Sequence, residues 1–409
     1  MAAYNRGVDR LLQLRAGALT ELSMAITFDP TFAVAHAALA LLGQEFCAPV
    51  DIRARLASAR LHSRRSTDRE RSHVDAVVRH VGGDRTAIVS HLGRYPDDAL
   101  LLSVAVPTIA FAGVTEVPAD AWRIVESCAP VYGDDWFFSG LLGFVRQEQG
   151  RFDEAMALSC ASLEAMPSAG HSAHARAHVH YETGDHAAGL AWIDRWITDA
   201  GAHTDNLAHY AWHAALHELA DGDLAAVGRR YDAQLSPVHV RGCRSLVDTG
   251  SLIWRWGITP GATAVPAIAA AIDVPRFQLL RPPTVFMALH AAVALCADDD
   301  STGLYSLALW AGNHEHPCYR SVIAPLAEAL RLLVDGCPSA CADVLQRIAS
   351  EVWRVGGSDA QREVVEETLL TALLRADRFD EAGRLIDTRL DRRPCRRDEW
   401  FRELAQETG

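Results

Sequence analysis

The sixteen residues at positions 171–186, HSAHARAHVHYETGDH, hold five histidines and one glutamate and are the part of the chain best suited to chemistry. In a helix His174, His178 and Glu182 occupy positions i, i+4 and i+8, so they form one stripe down a single face. Imidazoles with this spacing can bind a divalent metal, or they can exchange protons near neutral pH.

A second segment at positions 206–219, NLAHYAWHAALHEL, has the same spacing at His209, His213 and His217. Both segments fall where the first helix of a helical repeat is expected, and first helices of such repeats line a common concave groove. We therefore predict that two adjacent helices present four catalytic imidazoles to one cavity: His174, His178, His209 and His213.

Two kinds of chemistry remain open for these imidazoles. A Zn²⁺ ion could take a third ligand from a neighbouring helix or from Asp248, although HELAD at positions 217–221 only half matches the H-E-x-x-H metal motif. Without a metal, the imidazoles could act as general acid and base, with Glu182 or Asp248 holding one tautomer. We favour the metal-free alternative and predict no cofactor.

Other residues are predicted to support the site or the fold. His290 lies in the apolar segment FMALHAAVAL and is either a buried structural residue or a group that points into the same cavity. Arg362, in GGSDAQR, stands in the first turn of a helix, where its charge opposes the helix dipole, so it needs a fixed acidic partner or an anionic ligand. His73 lies among arginines and an aspartate and is predicted to tie two helices together. The predicted binding groups are Glu182, Asp248, His290 and Arg362.

Composition excludes several classes of function. The 409-residue chain is 49% apolar, has a net charge of −13 and contains no lysine, which removes Schiff-base chemistry and the lysine of phosphate-binding loops. The acidic balance argues against nucleic-acid or membrane partners. Nine scattered cysteines, with no C-x-x-C pair, argue against disulfides and thiolate zinc sites. Because there is no signal peptide or membrane segment, we expect a cytoplasmic protein, and the arginine-only, alanine-rich usage suggests a GC-rich bacterial genome.

The hydrophobic spacing predicts an all-α fold. Apolar residues recur every three or four positions, and the segments GRFDEA, GDHAAG and GDLAAV begin at Gly150, Gly184 and Gly222, which are 34 and 38 residues apart. This spacing is close to the tetratricopeptide period and predicts a superhelical array of antiparallel helix pairs. We expect one continuous domain over residues 1–409, with divergent helices at 1–130, the most regular repeats at 131–240 and further repeats at 241–409.

Several segments, in order, resemble the tetratricopeptide repeat protein 38 family. GGSDAQREV is the most specific of them, and the resemblance covers most of the chain after about residue 65. The resemblance implies an α-helical repeat fold. It does not imply a particular activity. The matching segments are RERSHVDAV (69–77), HARAHVHYETG (174–184), HYAWHAALHELADGD (209–223), YDAQLSP (231–237), LVDTGSLIWRW (246–256) and GGSDAQREV (356–364).

Two functions from different classes fit these observations. The first is an enzyme or binding protein for a small molecule, with non-redox acid/base chemistry such as hydrolysis, elimination, isomerisation or cyclisation at the histidine groove. The second is a scaffold that holds a peptide or protein partner in an open groove without catalysis. Histidines concentrated in two repeats favour the first.

Overall fold

The computed structural model describes residues 1–46, 48–84, 86–105 and 119–408 and is all-helical there. Cys47 lies outside the described residues. No β-strand occurs in this part of the chain, where an isolated bridge joins Arg15 and Thr204. The α-helices are α1 (Ala2–Leu12), α2 (Ala18–Phe28), α3 (Ala33–Phe46), α4 (Ile52–Ser63), α5 (Asp68–Val81), α6 (Ala87–Leu92), α7 (Ala99–Ala105), α8 (Ala119–Tyr132), α9 (Trp136–Glu148), α10 (Phe152–Ala165), α11 (Gly170–Glu182), α12 (His186–Thr198), α13 (Leu207–Ala220), α14 (Leu224–Arg230), α15 (Ser251–Gly257), α16 (Ile268–Ala271), α17 (Arg276–Leu280), α18 (Val285–Ala297), α19 (Ser301–Gly312), α20 (Ala324–Val334), α21 (Pro338–Ile348), α22 (Asp359–Arg375), α23 (Phe379–Arg392) and α24 (Arg396–Thr408). Wider, π-helical turns span Tyr231–Leu235, Ser245–Gly250 and Tyr319–Ile323, and a 3₁₀ segment spans Ala349–Val355.

The predicted helix breaks at three glycines are confirmed. Gly150, Gly184 and Gly222 separate α9 from α10, α11 from α12 and α13 from α14. Their φ angles of 71°, 73° and 75° lie in the left-handed region, where a side chain would be strained, so glycine ends each helix at low cost. Asp223 then begins α14 by accepting a hydrogen bond from the Ala226 amide at 2.8 Å.

The predicted capping box at the start of α22 is also confirmed. The Ser358 side chain accepts from the Gln361 amide, and the Gln361 side chain accepts from the Ser358 amide at 2.9 Å. Gly357 has a φ of 72°, and a Cβ atom there would lie 2.3 Å from the Phe286 ring. The two glycines of GGSDAQR therefore allow both the turn and close packing on α18.

The chain divides into two compact units, each built from two sequence segments. The N-terminal unit comprises Met1–Arg176 and Trp196–Leu207, and the C-terminal unit comprises Ala177–Arg195 and Ala208–Gly409. Each has its own apolar core. Fully buried core side chains include Leu22, Leu41, Leu101, Phe138 and Leu141 in the first unit and Trp212, Leu252, Leu289, Val322 and Leu370 in the second. Within the described residues, no helix combines the length and the apolar character needed to cross a bilayer.

Candidate functional site

A pocket of about 480 Å³ lies in the C-terminal unit. Its wall is half apolar and half charged, and it includes two residues predicted from the sequence, Glu182 and Arg362. The apolar side is contributed mainly by α21, the 3₁₀ segment and α22. The lining residues are Glu182, Leu345, Ala349, Ser350, Val352, Trp353, Asp359, Arg362, Glu363, Val365, Glu366, Leu369, Leu385, Arg392 and Arg393.

Two carboxyl groups share one guanidinium at the charged side of this pocket. Arg393 donates from Nη1 to Glu182 Oε2 at 2.9 Å and from Nη2 to both carboxylate oxygens of Glu363. Its guanidinium also lies over the Tyr181 ring, 4.2 Å from the ring centre, and the Tyr181 hydroxyl donates to Glu363 at 2.7 Å. Together these contacts fix one buried cation between two acids and an aromatic ring.

The two acids titrate differently because their surroundings differ. Burial raises the pKa of Glu182 to about 7, and the nearby negative charge of Glu363 adds to the effect of burial although Arg393 opposes it. Burial also disfavours the charged form of Glu363, but Arg393, Arg389 and Arg392 together hold its pKa well below the ordinary value. Glu363 is therefore ionised at neutral pH, while Glu182 lies near the midpoint of its titration.

The local chain path explains why Arg393 is available. α23 ends at Arg392, and Arg393 has extended backbone angles of −160° and 148° before Pro394, which cannot continue a helix ladder. This turn directs the Arg393 side chain inward, where only 4% of the residue is exposed. Arg396, three residues later, lies on the exposed face of α24.

Arg362 has the acidic partner that its place in the first helical turn predicts. Its guanidinium contacts Asp359 within the same turn and donates to the carbonyl oxygens of Gly356, at 3.3 Å, and Gly357. These carbonyls belong to the turn that precedes α22. The second alternative, an anionic ligand, stays a prediction, and it is compatible with the place of Arg362 in the pocket wall.

A deeper layer of ion pairs lies behind the pocket and was not predicted from the sequence. Glu367 accepts from Arg397 at 2.6 Å and from Arg255 at 3.4 Å, and Arg255 also donates to the Ala360 carbonyl at 2.5 Å. Arg389 pairs with Asp398 at 2.9 Å. The only local signal is the density of arginines between positions 389 and 397, a pattern that is usually typical of an exposed helix face.

The C-terminal unit also gathers predicted imidazoles in its interior. The rings of His178 and His213 are 4.6 Å apart, and those of His209 and His213 are 4.8 Å apart. His209 Nδ1 lies 2.8 Å from Asp248 Oδ1, so Asp248 holds the orientation of that ring as the sequence suggested. All of these residues are at most 1% exposed.

Burial disfavours the charged forms of His178, His213 and His290. It lowers the pKa of His178 to about 3, with smaller contributions from His209 and Arg362, and it lowers that of His213 well below the usual value. Burial also lowers the pKa of His290 to about 3, although the charge of Asp248 opposes it. The His290 ring lies 4.8 Å from that of Phe286, and neither of its nitrogens has a hydrogen-bond partner in the described part of the chain.

His174 is the predicted catalytic residue that belongs to the N-terminal unit. It lies on α11, one turn before His178, and its ring stacks on Phe144 at 5.2 Å. The predicted groups thus separate by environment: Glu182 and Arg362 line the pocket, while the histidines and Asp248 are not among its lining residues. The catalytic role of the histidines stays a prediction.

Comparison of the chain with models of known protein families finds no match.

Proposed function

We propose that this protein binds a small molecule in the pocket of the C-terminal unit and carries out non-redox acid/base chemistry on it. The observation that carries the proposal is a buried carboxyl group, Glu182, whose pKa is raised to about 7 and which lines a pocket of about 480 Å³. This volume falls within the range of small-molecule sites, and perturbed titrating groups are concentrated at such sites.

Glu182 has the proton-transfer role in this proposal. Since its pKa is close to physiological pH, both the acid and the conjugate base are populated, and a group of this kind can donate a proton and then take one back. Arg393 fixes its position, and the ionised Glu363 keeps a negative charge nearby. Loss of either neighbour would change the proton affinity of Glu182.

The remaining wall supplies binding and orientation. Arg362 and Arg392 are partly accessible guanidinium groups that can hold a carboxylate or phosphate oxygen of the ligand. Leu345, Val352 and Leu369 supply apolar contact on the other side. The preferred ligand therefore has an anionic end and an apolar body.

The buried imidazoles have a subsidiary role in the proposal. A neutral imidazole donates at one nitrogen and accepts at the other, so it can pass on a proton by taking one up at the acceptor nitrogen as it releases one from the donor nitrogen. His178 precedes Glu182 by one turn on α11, which makes it the first candidate for such a step. His209 and His213, with Asp248 and His290, are the other predicted groups within the C-terminal unit.

We also propose that the helices form a tetratricopeptide-like array and that the chain is related to the tetratricopeptide repeat protein 38 family. Consecutive packed helix pairs and the glycine-marked breaks support this proposal. A bacterial, cytoplasmic protein remains our expectation from the sequence.

Filling the pocket tests the binding function. Ser350 is exposed and lines the pocket, so Ser350→Trp should block it at little cost to the fold. The probes are benzoate, citrate, acetate and inorganic phosphate, and the measurement is the thermal unfolding midpoint. A probe at 100 times its Kd should stabilise the wild type by about 2.7 kcal/mol. For a chain of 409 residues this corresponds to a rise in Tm of roughly 3 °C.

The control is Ser339→Trp, which places the same side chain on an exposed position of α21 outside the pocket lining. We expect Ser339→Trp to keep the thermal shift and Ser350→Trp to lose it. A shift that survives in Ser350→Trp, or the lack of a shift with every probe, would count against the pocket and favour the scaffold alternative.

A further inference from the structure

The N-terminal unit holds a second cluster of side chains with metal-binding chemistry. His73 on α5, His91 on α6 and Asp98, directly before α7, each offer one ligand atom, and these three atoms lie within 4.8 Å of one another. Asp98 Oδ2 lies 2.7 Å from His73 Nδ1 and 3.1 Å from His91 Nε2. The structural contact that the sequence predicted for His73 is thus made with Asp98.

The set of ligands is one that transition metals use. Two imidazoles and one carboxylate bind catalytic zinc and non-haem iron, in each case with positions left open for another ligand. Metal bonds of about 2.0–2.1 Å in tetrahedral geometry place ligand atoms about 3.3 Å apart. The observed separations of 2.7 and 3.1 Å to Asp98 Oδ2 are about 0.6 and 0.2 Å shorter than this value, and the two imidazole nitrogens lie within 4.8 Å of each other, so a metal ion would move the three groups slightly apart or together.

The outer contacts of two of the ligands are already in place. The Ser72 hydroxyl lies 2.9 Å from His91 Nδ1, which orients Nε2 toward Asp98. The Leu101 amide donates to the second carboxylate oxygen, Asp98 Oδ1, at 3.2 Å. Hydrogen bonds from outside a metal site of this kind orient the ligands and set their basicity.

Asp98 lies at the centre of this cluster. All three residues are buried, and both imidazole rings contact the same carboxylate oxygen, Asp98 Oδ2. His73 Nε2 is a buried nitrogen without a hydrogen-bond partner in the described residues, so Nδ1 provides the polar contact of this ring.

We propose that His73, His91 and Asp98 form a binding site for a divalent transition-metal ion such as zinc. The site lies within the N-terminal unit and does not depend on the function proposed for the pocket. Ser72 is a positioning residue in this assignment, since it contacts His91 at the nitrogen that faces away from the metal.

Zinc binding to the full-length protein tests the site. Isothermal titration with Zn²⁺, together with metal content measured after dialysis, should show one tightly held equivalent that is lost in His91→Gln and in Asp98→Asn. Ser72→Ala keeps all three ligands, so we expect it to retain the equivalent and to bind it roughly 10- to 100-fold more weakly. Circular dichroism of each variant monitors the fold.

Two controls separate this site from other histidines. His239→Gln changes an exposed histidine and should leave both stoichiometry and affinity unaltered. His213→Gln changes the interior cluster of the C-terminal unit and should leave the same equivalent in place. Cobalt substitution adds a second measurement, because a visible absorption band from a low-symmetry Co²⁺ site should disappear in His91→Gln.

The proposal is overturned if the wild type, His91→Gln and Ser72→Ala bind Zn²⁺ with equal stoichiometry and affinity, or if the wild type binds none. The cluster would then be a hydrogen-bonded tie between helices. If Asp98→Asn does not fold, Ser72→Ala and His91→Gln still decide the outcome.

Discussion

Arg393→Met is expected to destabilise the protein by about 3–5 kcal/mol, because it leaves buried acids without their shared cation. Arg393 is 4% exposed, and it contacts Glu182 at 2.9 Å and Tyr181 Oη at 3.1 Å as well as Glu363. Glu363 keeps Arg389 and Arg392, but Glu182 loses its ion-pair partner. Urea unfolding at pH 7.5, followed by circular dichroism, measures the loss.

Arg396→Met supplies the matched control for this experiment. Arg396 is exposed and lies 5.6 Å from the centre of the Trp400 ring, so its removal should cost no more than about 1 kcal/mol. Adding Glu182→Gln to Arg393→Met should restore part of the lost stability, since it removes the unpaired acid. A cost below about 1 kcal/mol for Arg393→Met would contradict the ion-pair account.

Glu182→Gln is expected to gain stability relative to the wild type as the pH rises from 5 to 8. The pKa of Glu182 is about 7 in the folded protein against an ordinary value of 4.5, so the folded state holds this proton more tightly than the unfolded state does. That contribution to wild-type stability is full below about pH 4.5 and is lost as the pH rises through 7. Between pH 5 and pH 8 the relative gain should be about 2–3 kcal/mol.

The measurement is the free energy of unfolding of both proteins at several pH values, with Glu399→Gln, an exposed site on α24, as the baseline. Groups that do not interact with Glu182 titrate equally in both proteins, so their effects cancel in the difference between them. A difference that stays constant between pH 5 and 8 would show that Glu182 does not take up its proton in this range, and it would remove the basis for its acid/base role.

Local features of the fold could be predicted from the sequence, and long-range features could not. Gly150, Gly184 and Gly222 end helices because the signal is contained within one turn, and the capping box of Ser358 and Gln361 spans only three residues. The all-α class follows from the same local periodicity. The superhelical arrangement depends on packing between helices and stays a prediction.

In the candidate site, too, residues with a local sequence signal could be predicted and residues with distant partners could not. Glu182 could be selected because it continues the helical stripe of His174 and His178, and Arg362 because its charge opposes the dipole in the first turn of its helix. Arg393 could not, because its partners Glu363 and Glu182 are 30 and 211 residues away in sequence. The histidine spacing indicated a common helix face but not its burial, since the spacing does not show what packs against that face.

The way in which the two compact units are assembled from the chain constrains how the protein is made and how it can evolve. The chain changes unit after residues 176, 195 and 207, so a single cut at any position divides at least one unit. A gene crossover at one point therefore cannot exchange either unit intact while leaving the other whole. During synthesis, the ribosome must make residues 177–195 of the C-terminal unit before it completes the N-terminal one.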